Sequence, residues 1–355
     1  NLVNSAATVN LTIGTNPGGG TLSGTTSAAA VAGVATFSTL SINNTGIGYT
    51  LDAASIGLTG GTSAAFNIIV GAPSQIVFNV QPTNTTAGAS ITPSVTVEVR
   101  DASNNLISTD NGTLITLSIG VNPGSGTLSG TVTQATVNGV ATFPGLSINK
   151  TGVGYTLIAA AGGFSNVSSS AFDITAAAPD HIAFLQQPTN TTAGASISPA
   201  VTVQILDAFD NVVTTSSANV TVAIGTNPGG GTLSGTATVA AVNGVAAFSN
   251  LSIDKVGVGY TLTANTAGLA GITSSAFNIT AGAAAQLVIV QQPTDTIAGA
   301  GISPAITVQI LDAFGNLVTS SAANVTLAIN ANPGGGTLSG TATVAAVNGV
   351  ATFSG

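Results

Sequence analysis

The sequence predicts an all-β protein in which one sandwich unit is repeated head to tail, and three observations carry that reading. The nine-residue motif NPGGGTLSG starts at Asn16, Asn227 and Asn332, and as NPGSGTLSG at Asn122, a spacing of 105–106 residues. A fixed period along the whole chain marks an array of one structural unit. Between the motifs, apolar residues alternate with polar ones, as in Val95, Val97 and Val99 against Thr96, Glu98 and Arg100. Period two signals strands with one buried face. No window keeps the i, i+3, i+4 spacing of a helix long enough to compete.

Composition narrows the function. The 355 residues are 44% hydrophobic but only 4% charged, against about a quarter charged in ordinary soluble proteins. Ser, Thr, Asn and Gly must therefore cover the surface. Arg100, Lys150 and Lys255 are the only basic side chains apart from one His, and the net charge is −8. Three scattered cations cannot build a phosphate-binding face, so nucleic acid is excluded as a partner. No run of eighteen apolar residues suggests a transmembrane helix. With no Cys, neither disulfides nor thiolate metal sites hold the units. The chain opens on Asn1 without a visible signal peptide, which suggests a window from a longer polypeptide.

The period divides the chain into complete units at 72–177 and 178–282, flanked by the later part of a unit at 1–71 and the earlier part at 283–355. Within a unit, Gln75 to Gln81 reads as the first strand, stopped by Pro82, which cannot donate to a ladder. A polar link, TNTTAGASI, leads to Pro93. The alternating strand from Val95 follows and ends at Asp101, with Asp207 and Asp312 as counterparts before turns such as DAFGN. A third strand (Val220 to Ile224) precedes NPGGG, where Pro presets one turn dihedral and the glycines permit positive φ. Asn138-Gly139, Asn243-Gly244 and Asn348-Gly349 then signal a two-residue type I′ hairpin, with Ala32-Gly33 in the first copy. Phe143 and Leu146 differ in parity, which predicts a β-bulge at Pro144-Gly145. GYTL and SSAFNIT supply the last strands.

About seven short strands per 105 residues indicate tandem immunoglobulin-like β-sandwich domains arranged end to end. Tyr49, Tyr155 and Tyr260, the only tyrosines, share one repeat position. That position, opening the penultimate strand, is where a tyrosine corner lies. The buried core is expected to hold Val95, Val97, Val99, Phe143, Leu146, Ile148 and Tyr155 with their counterparts.

The stretches DAFGNLVT (Asp312 to Thr319), AVNGVATF (Ala346 to Phe353) and GYTLTA (Gly259 to Ala264) resemble bacterial immunoglobulin-like repeats. Such repeats occur in invasin- and intimin-like adhesins and other long bacterial surface proteins. The resemblance departs at ASNNLI after Asp101 and AFDNVV after Asp207, where the turn glycine is missing. It implies an extracellular or cell-surface stalk, adhesin or filament, and supplies no active site.

Candidate chemistry is sparse. Asp101, Asp207, Asp210 and Asp312, with Asn residues close behind, are the only candidates for Ca²⁺, which takes six to eight oxygens. Each copy offers at most two carboxylates there, so an Asx-type turn is the preferred reading and no metal is expected. His181 replaces a glutamine of the other copies (Gln75, Gln286) and reads as an exposed strand residue. The glycine run lacks the Lys and helix of a phosphate loop. Lys150 and Lys255 read as solvated turn residues, since no recurrent Glu could catalyse an isopeptide bond. Neither a catalytic residue nor a cofactor is expected. Sequons at Asn84, Asn190, Asn219, Asn278 and Asn324, among others, are candidate glycosylation sites, and the Thr clusters could carry O-linked sugar.

These readings make the chain a structural array: the shaft of an extracellular filament or surface stalk. The alternative is an adhesin whose repeats, or a tip outside this window, bind a ligand on a host or neighbouring cell or in the matrix. Short links such as Ala281 to Ala283, and the near absence of charge, predict self-association into a filament or lateral bundle. Strand exchange between the partial ends is the less favoured alternative to simple continuation of the array.

Overall fold

The computed structural model describes residues 3–354 and contains strands but no helix among them. It divides between Thr175 and Ala176 into two compact units.

In the first unit, residues 73–175 form a two-sheet sandwich. One sheet places Val95–Asp101 between Pro73–Val80 and Val140–Phe143, all antiparallel. The other runs in the order Thr133–Ala135, Leu114–Ile119, Leu157–Ala161, Val167–Ser168. Beside it, Thr85–Thr86, Phe172–Thr175 and Gly152–Tyr155 form a three-stranded sheet in that order. The inward rows of both sheets meet in the core, where Val95, Val97, Val99, Phe143, Leu146, Ile148 and Tyr155 are all buried, as the alternation predicts. The second unit repeats this over residues 181–280, with Val201, Val203, Ile205, Phe248, Leu251, Ile253 and Tyr260 in the same places.

Three local readings change. The link after Pro82 is not free of structure: Thr85–Thr86 pairs parallel with Phe172–Thr175. Pro82 thus marks where the chain leaves one sheet for the other, and Gly88 and Ile91 then donate to the carbonyls of Ile148 and Leu146. The parity change after Phe143 is not a bulge. The strand ends there, the chain turns at Gly145 (φ +71°), and Ser147–Ile148 pairs instead with Leu128–Ser129. The polar row Thr96, Glu98, Arg100 is not simply wet. Glu98 is buried, because the Arg100 guanidinium folds back over it and donates from Nε at 2.8 Å.

The hairpins follow their sequence. Asn138 and Gly139 both have positive φ (50° and 81°), and Val137 and Val140 exchange both backbone hydrogen bonds. That is the type I′ geometry, whose twist matches the flanking strands. Ala32-Gly33 adopts it too (φ 51° and 77°).

The outer faces show how a chain with so little charge satisfies its polar groups. Exposed threonines pair across strands, Thr116 with Thr133, Thr221 with Thr238 and Thr326 with Thr343, at 2.8–3.0 Å. Among the described residues no buried side-chain polar atom lacks a partner.

Residues 8–68 in the first unit supply the counterpart of the four-stranded sheet and two short strand pairs, and 284–353 in the second unit chiefly the counterpart of the first sheet. Their inward rows are accordingly less covered: Leu11 is half-buried where its counterpart Leu117 is buried.

Candidate functional site: the joint between repeats

The tyrosine corner and the glycine motif turn out to be one construction. Each tyrosine hydroxyl donates to the carbonyl five residues upstream: Tyr49 to Asn44, Tyr155 to Lys150 and Tyr260 to Lys255, at 2.9 Å each. Burial pushes the Tyr155 and Tyr260 hydroxyls up from their ordinary pKa, partly offset by hydrogen bonds from the glycine backbones of the motif. Asn122 closes the motif loop on itself, its carboxamide bonding both the N–H (2.7 Å) and the carbonyl (2.9 Å) of Gly126. The loop backbone then lies against the tyrosine ring, where a Cβ on Gly124 would stand 2.5 Å from the Tyr155 hydroxyl. The motif is therefore a packing element.

The recurrent aspartates form a different kind of site. Asp101 ends its strand buried, and its carboxylate is filled by donors. Oδ1 accepts from the N–H of Ser103 (2.9 Å) and of Asn105 (2.8 Å), and Oδ2 accepts from Gly71 N–H (2.9 Å). The Asn105 amide adds two longer bonds. The first of these is the Asx turn expected from sequence. The bond to Gly71 is not local: it grips the link that precedes the strand by thirty residues.

Asn105 carries the contact further. Its Nδ2 donates to the Asn43 carbonyl at 2.9 Å, and its Oδ1 accepts from Thr45 N–H at 3.2 Å. One carboxamide thus reads the backbone of the preceding repeat in both polarities. In the second unit the same bonds recur. Asp312 accepts from Gly282, Phe314 and Asn316 at 2.9–3.0 Å, while Asn316 donates to Asp254 O (2.8 Å) and accepts from Val256 N–H (3.2 Å). Two further contacts appear there. Lys255 Nζ donates to Phe314 O at 2.7 Å, and the Phe314 ring lies directly over Gly194, where any Cβ would collide with it. Lys255 is therefore engaged in the joint rather than solvated. Asp207 makes the same local set, with Ala177 N–H from its link at 2.9 Å.

The electrostatics follow from these donors. Burial pushes the carboxyls of Asp101, Asp207 and Asp312 up, but the hydrogen bonds from Asn side chains and backbone N–H groups outweigh it. All three are held below the ordinary value of 3.8. A shell of N–H donors suits an anion, and a cation would have to displace it. Asp210 stands apart, largely exposed, and bonds His181 Nε2 at 3.2 Å while Asp180 bonds Nδ1 at 3.1 Å. His181 is thus half-buried between two carboxylates instead of a bare strand residue. Among the described residues no three His, Cys, Asp or Glu side chains are grouped to hold a metal ion.

Asn84, Asn190, Asn219 and Asn324 are exposed and Asn278 is half-buried. Asn84 and Asn190 each accept a backbone N–H at 2.7 Å through Oδ1. A groove of about 540 Å³ lined by Ile302, Ile306, Leu327, Ile329 and Phe353 is an open half-core. Its counterparts Ile197, Val201, Val222, Ile224 and Phe248 are packed in the core that includes Tyr260, Leu262 and Phe277.

The cross-repeat role of Asn105 and Asn316 was not read from sequence. The available signal was an Asn four residues after each of Asp101, Asp207 and Asp312, although the turn at the intervening positions varies.

No family model and no curated protein matches the chain. Among solved structures it is similar to the Escherichia coli adhesin FdeC, with 19% identity, a TM-score of 0.40, and coverage of 81% of this chain and 91% of that one. It is also similar to domains 4–9 of the surface layer protein SbsC (15% identity, TM-score 0.24, 81% and 41% covered). A third similarity, to Bacteroides uniformis β-glucuronidase 3, has 11% identity and a TM-score of 0.23, and covers 57% of this chain and 24% of the enzyme. Scores this low leave function to the chain's own geometry.

Proposed function

We propose that this chain is a shaft segment of an extracellular filament or cell-surface stalk, built from bacterial immunoglobulin-like repeats with boundaries near 72–177 and 178–282, and without catalytic activity. The observation that supports this reading is the joint. The same aspartate and asparagine tie each link to its repeat, and tie that repeat to the loop before it, at Asp101–Asn105 and again at Asp312–Asn316. The bond from the link to the buried carboxylate is worth about 1.5–3 kcal/mol, and each neutral bond between the asparagine amide and the neighbouring backbone about 0.5–1.5 kcal/mol, so a joint made of several resists bending. A module that only needed tethering would not require an amide reading both polarities of its neighbour's backbone. The few cations fit an exposed location, since Arg100 lies against Glu98 and Lys255 is held by Phe314, leaving little for trypsin-like proteases.

The test is angular. Single particles of the chain imaged by electron microscopy should show a narrow spread of angles between adjacent repeats, and Asn105→Ala with Asn316→Ala should widen it. Equally free joints in parent and variant would overturn the reading.

A further inference from the structure

Two surface positions remain branched aliphatics in every copy although the fold leaves them in water. One precedes the hairpin turn: Val31, Val137, Val242 and Val347 are 65–78% exposed. The other stands between two glycines at the start of the tyrosine strand: Ile47, Val153 and Val258 are 79–83% exposed. Neighbouring exposed positions do not behave this way. Leu185, for example, corresponds to Asn79 and Val290, and Ile297 to Thr86 and Thr192.

The fold does not require an apolar side chain at either place. A branched residue favours a strand, but threonine meets that preference with the same shape and a hydroxyl for water. This chain uses threonine freely on its outer faces, as at Thr116 and Thr133. Beside Val153, Gly152 is required by the Pro123 and Tyr155 side chains, and Gly154 by its φ of +84°. The valine between them is 80% exposed.

Both positions lie close to the joint. Ile47 is two residues from Thr45, which bonds Asn105. Leu106 follows Asn105 and meets the hairpin glycine Gly139, two residues after Val137. In the second unit the same chain of neighbours runs from Val258 through Val256, Asn316, Leu317 and Gly349 to Val347. Leu106, Val256 and Phe314 add further exposed apolar surface there.

We propose that these two rows are the surface through which one copy of this chain packs side by side on a second copy. A second copy is the occupant that fits, because the rows recur with the repeat period. A second copy carries the same positions at the same period, so every repeat has a matching repeat to pack on, whereas a partner without that period would match once. Contacts that are weak singly then add through their number. The low charge density weakens the like-sign repulsion that usually keeps identical surfaces apart. The inference rests on the shaft reading and names how shafts would associate.

The test compares the full chain with a variant carrying Val31→Thr, Ile47→Thr, Val137→Thr, Val153→Thr, Val242→Thr, Val258→Thr and Val347→Thr. Sedimentation velocity and negative-stain microscopy over a concentration series, at physiological salt, should show the parent forming side-by-side assemblies. The variant should need at least about tenfold more protein to do so, with an unchanged melting temperature. A parent that stays monomeric, or a variant that assembles like the parent, overturns the proposal. Binding of the parent to phosphatidylcholine vesicles without chain–chain assembly, lost in the variant, also overturns it in favour of a lipid surface. If the sevenfold variant melts early, the changes confined to Val137, Val153, Val242 and Val258 decide: an intermediate loss of assembly supports the proposal, and none refutes it. The spread of joint angles in single molecules is read separately, so failure of lateral packing is distinguishable from failure of the shaft reading.

Discussion

A methyl group on Gly126 would sit 2.6 Å from Ile148 Cγ2 and 2.9 Å from the Tyr155 hydroxyl, and one on Gly124 would collide with the Thr151 carbonyl. None of these neighbours can retreat, because the tyrosine and isoleucine are fully buried and the carbonyl is backbone. Gly124→Ala should therefore destabilise its sandwich by about 1–3 kcal/mol or more, as overpacking does. Tyr155→Phe, which keeps the ring and removes the hydroxyl's bonds to Lys150 O and to the Gly124 and Gly126 backbone, should cost about 1–2 kcal/mol. Urea unfolding of the two variants gives the comparison, and a tyrosine change costlier than the glycine change would contradict the packing account. Val97 tests the core from the other side. It is fully buried between the sheets, so Val97→Asp buries an unpaired charge and should cost several kcal/mol. A variant melting like the parent would place the strand's inward face wrongly.

Among the elements, the turn after each long strand does two jobs at once. Its first three residues make an Asx turn, and its fifth reaches the neighbouring repeat. This coupling makes the joint sensitive to acid. The carboxyls of Asp101, Asp207 and Asp312 are lowered in the folded state, so the unfolded chain binds protons at higher pH than the folded one. Their contribution to stability is complete above the ordinary carboxyl value and is lost as pH falls through the lower folded value. Melting temperature should hold from pH 7 to about pH 5 and fall below about pH 4. Asp312→Asn should flatten part of that fall, because the amide cannot titrate. An acid response identical in parent and variant would remove Asp312 from the explanation.

At the scale of the whole chain, the repeats share their chemistry closely, and the placing of His181 between Asp180 and Asp210 is particular to one copy. The donor-filled aspartates predict that chelation leaves the array unaffected. EDTA should change neither melting temperature nor hydrodynamic length, and a fall of several degrees reversed by Ca²⁺ would make Asp101, Asp207 and Asp312 ligands. Because nearest-neighbour joints couple adjacent repeats, unfolding should also depend on the joints, as in other repeat arrays. Asn316→Ala is expected to separate the unfolding of 284–353 from that of the preceding repeat in a calorimetric scan. A single transition common to parent and variant would argue against energetic coupling through that amide.

Local rules decided what the sequence could settle alone. Alternation at Val95–Val99 fixed which residues face inward, because side chains in a strand point to opposite faces in turn. Asn138-Gly139 determined a type I′ hairpin, because both turn positions need positive φ. The recurrent tyrosine marked the corner, since its position opens the penultimate strand. What only the tertiary structure decided are the features that join distant segments. The parallel pairing of Thr85–Thr86 with Phe172–Thr175 leaves no pattern in so short a strand. The change of partner after Phe143 mimics a bulge, because parity alone records a shift and not its cause. The burial of Glu98 depends on Arg100 folding over it. The joint is the clearest case. An aspartate before a turn satisfies its local backbone in any protein, so the sequence around Asp101 and Asp312 is explained without a neighbour. That the same carboxylate holds a link thirty residues away, and that Asn105 and Asn316 bridge to another repeat, follows only from where the sandwich ends meet.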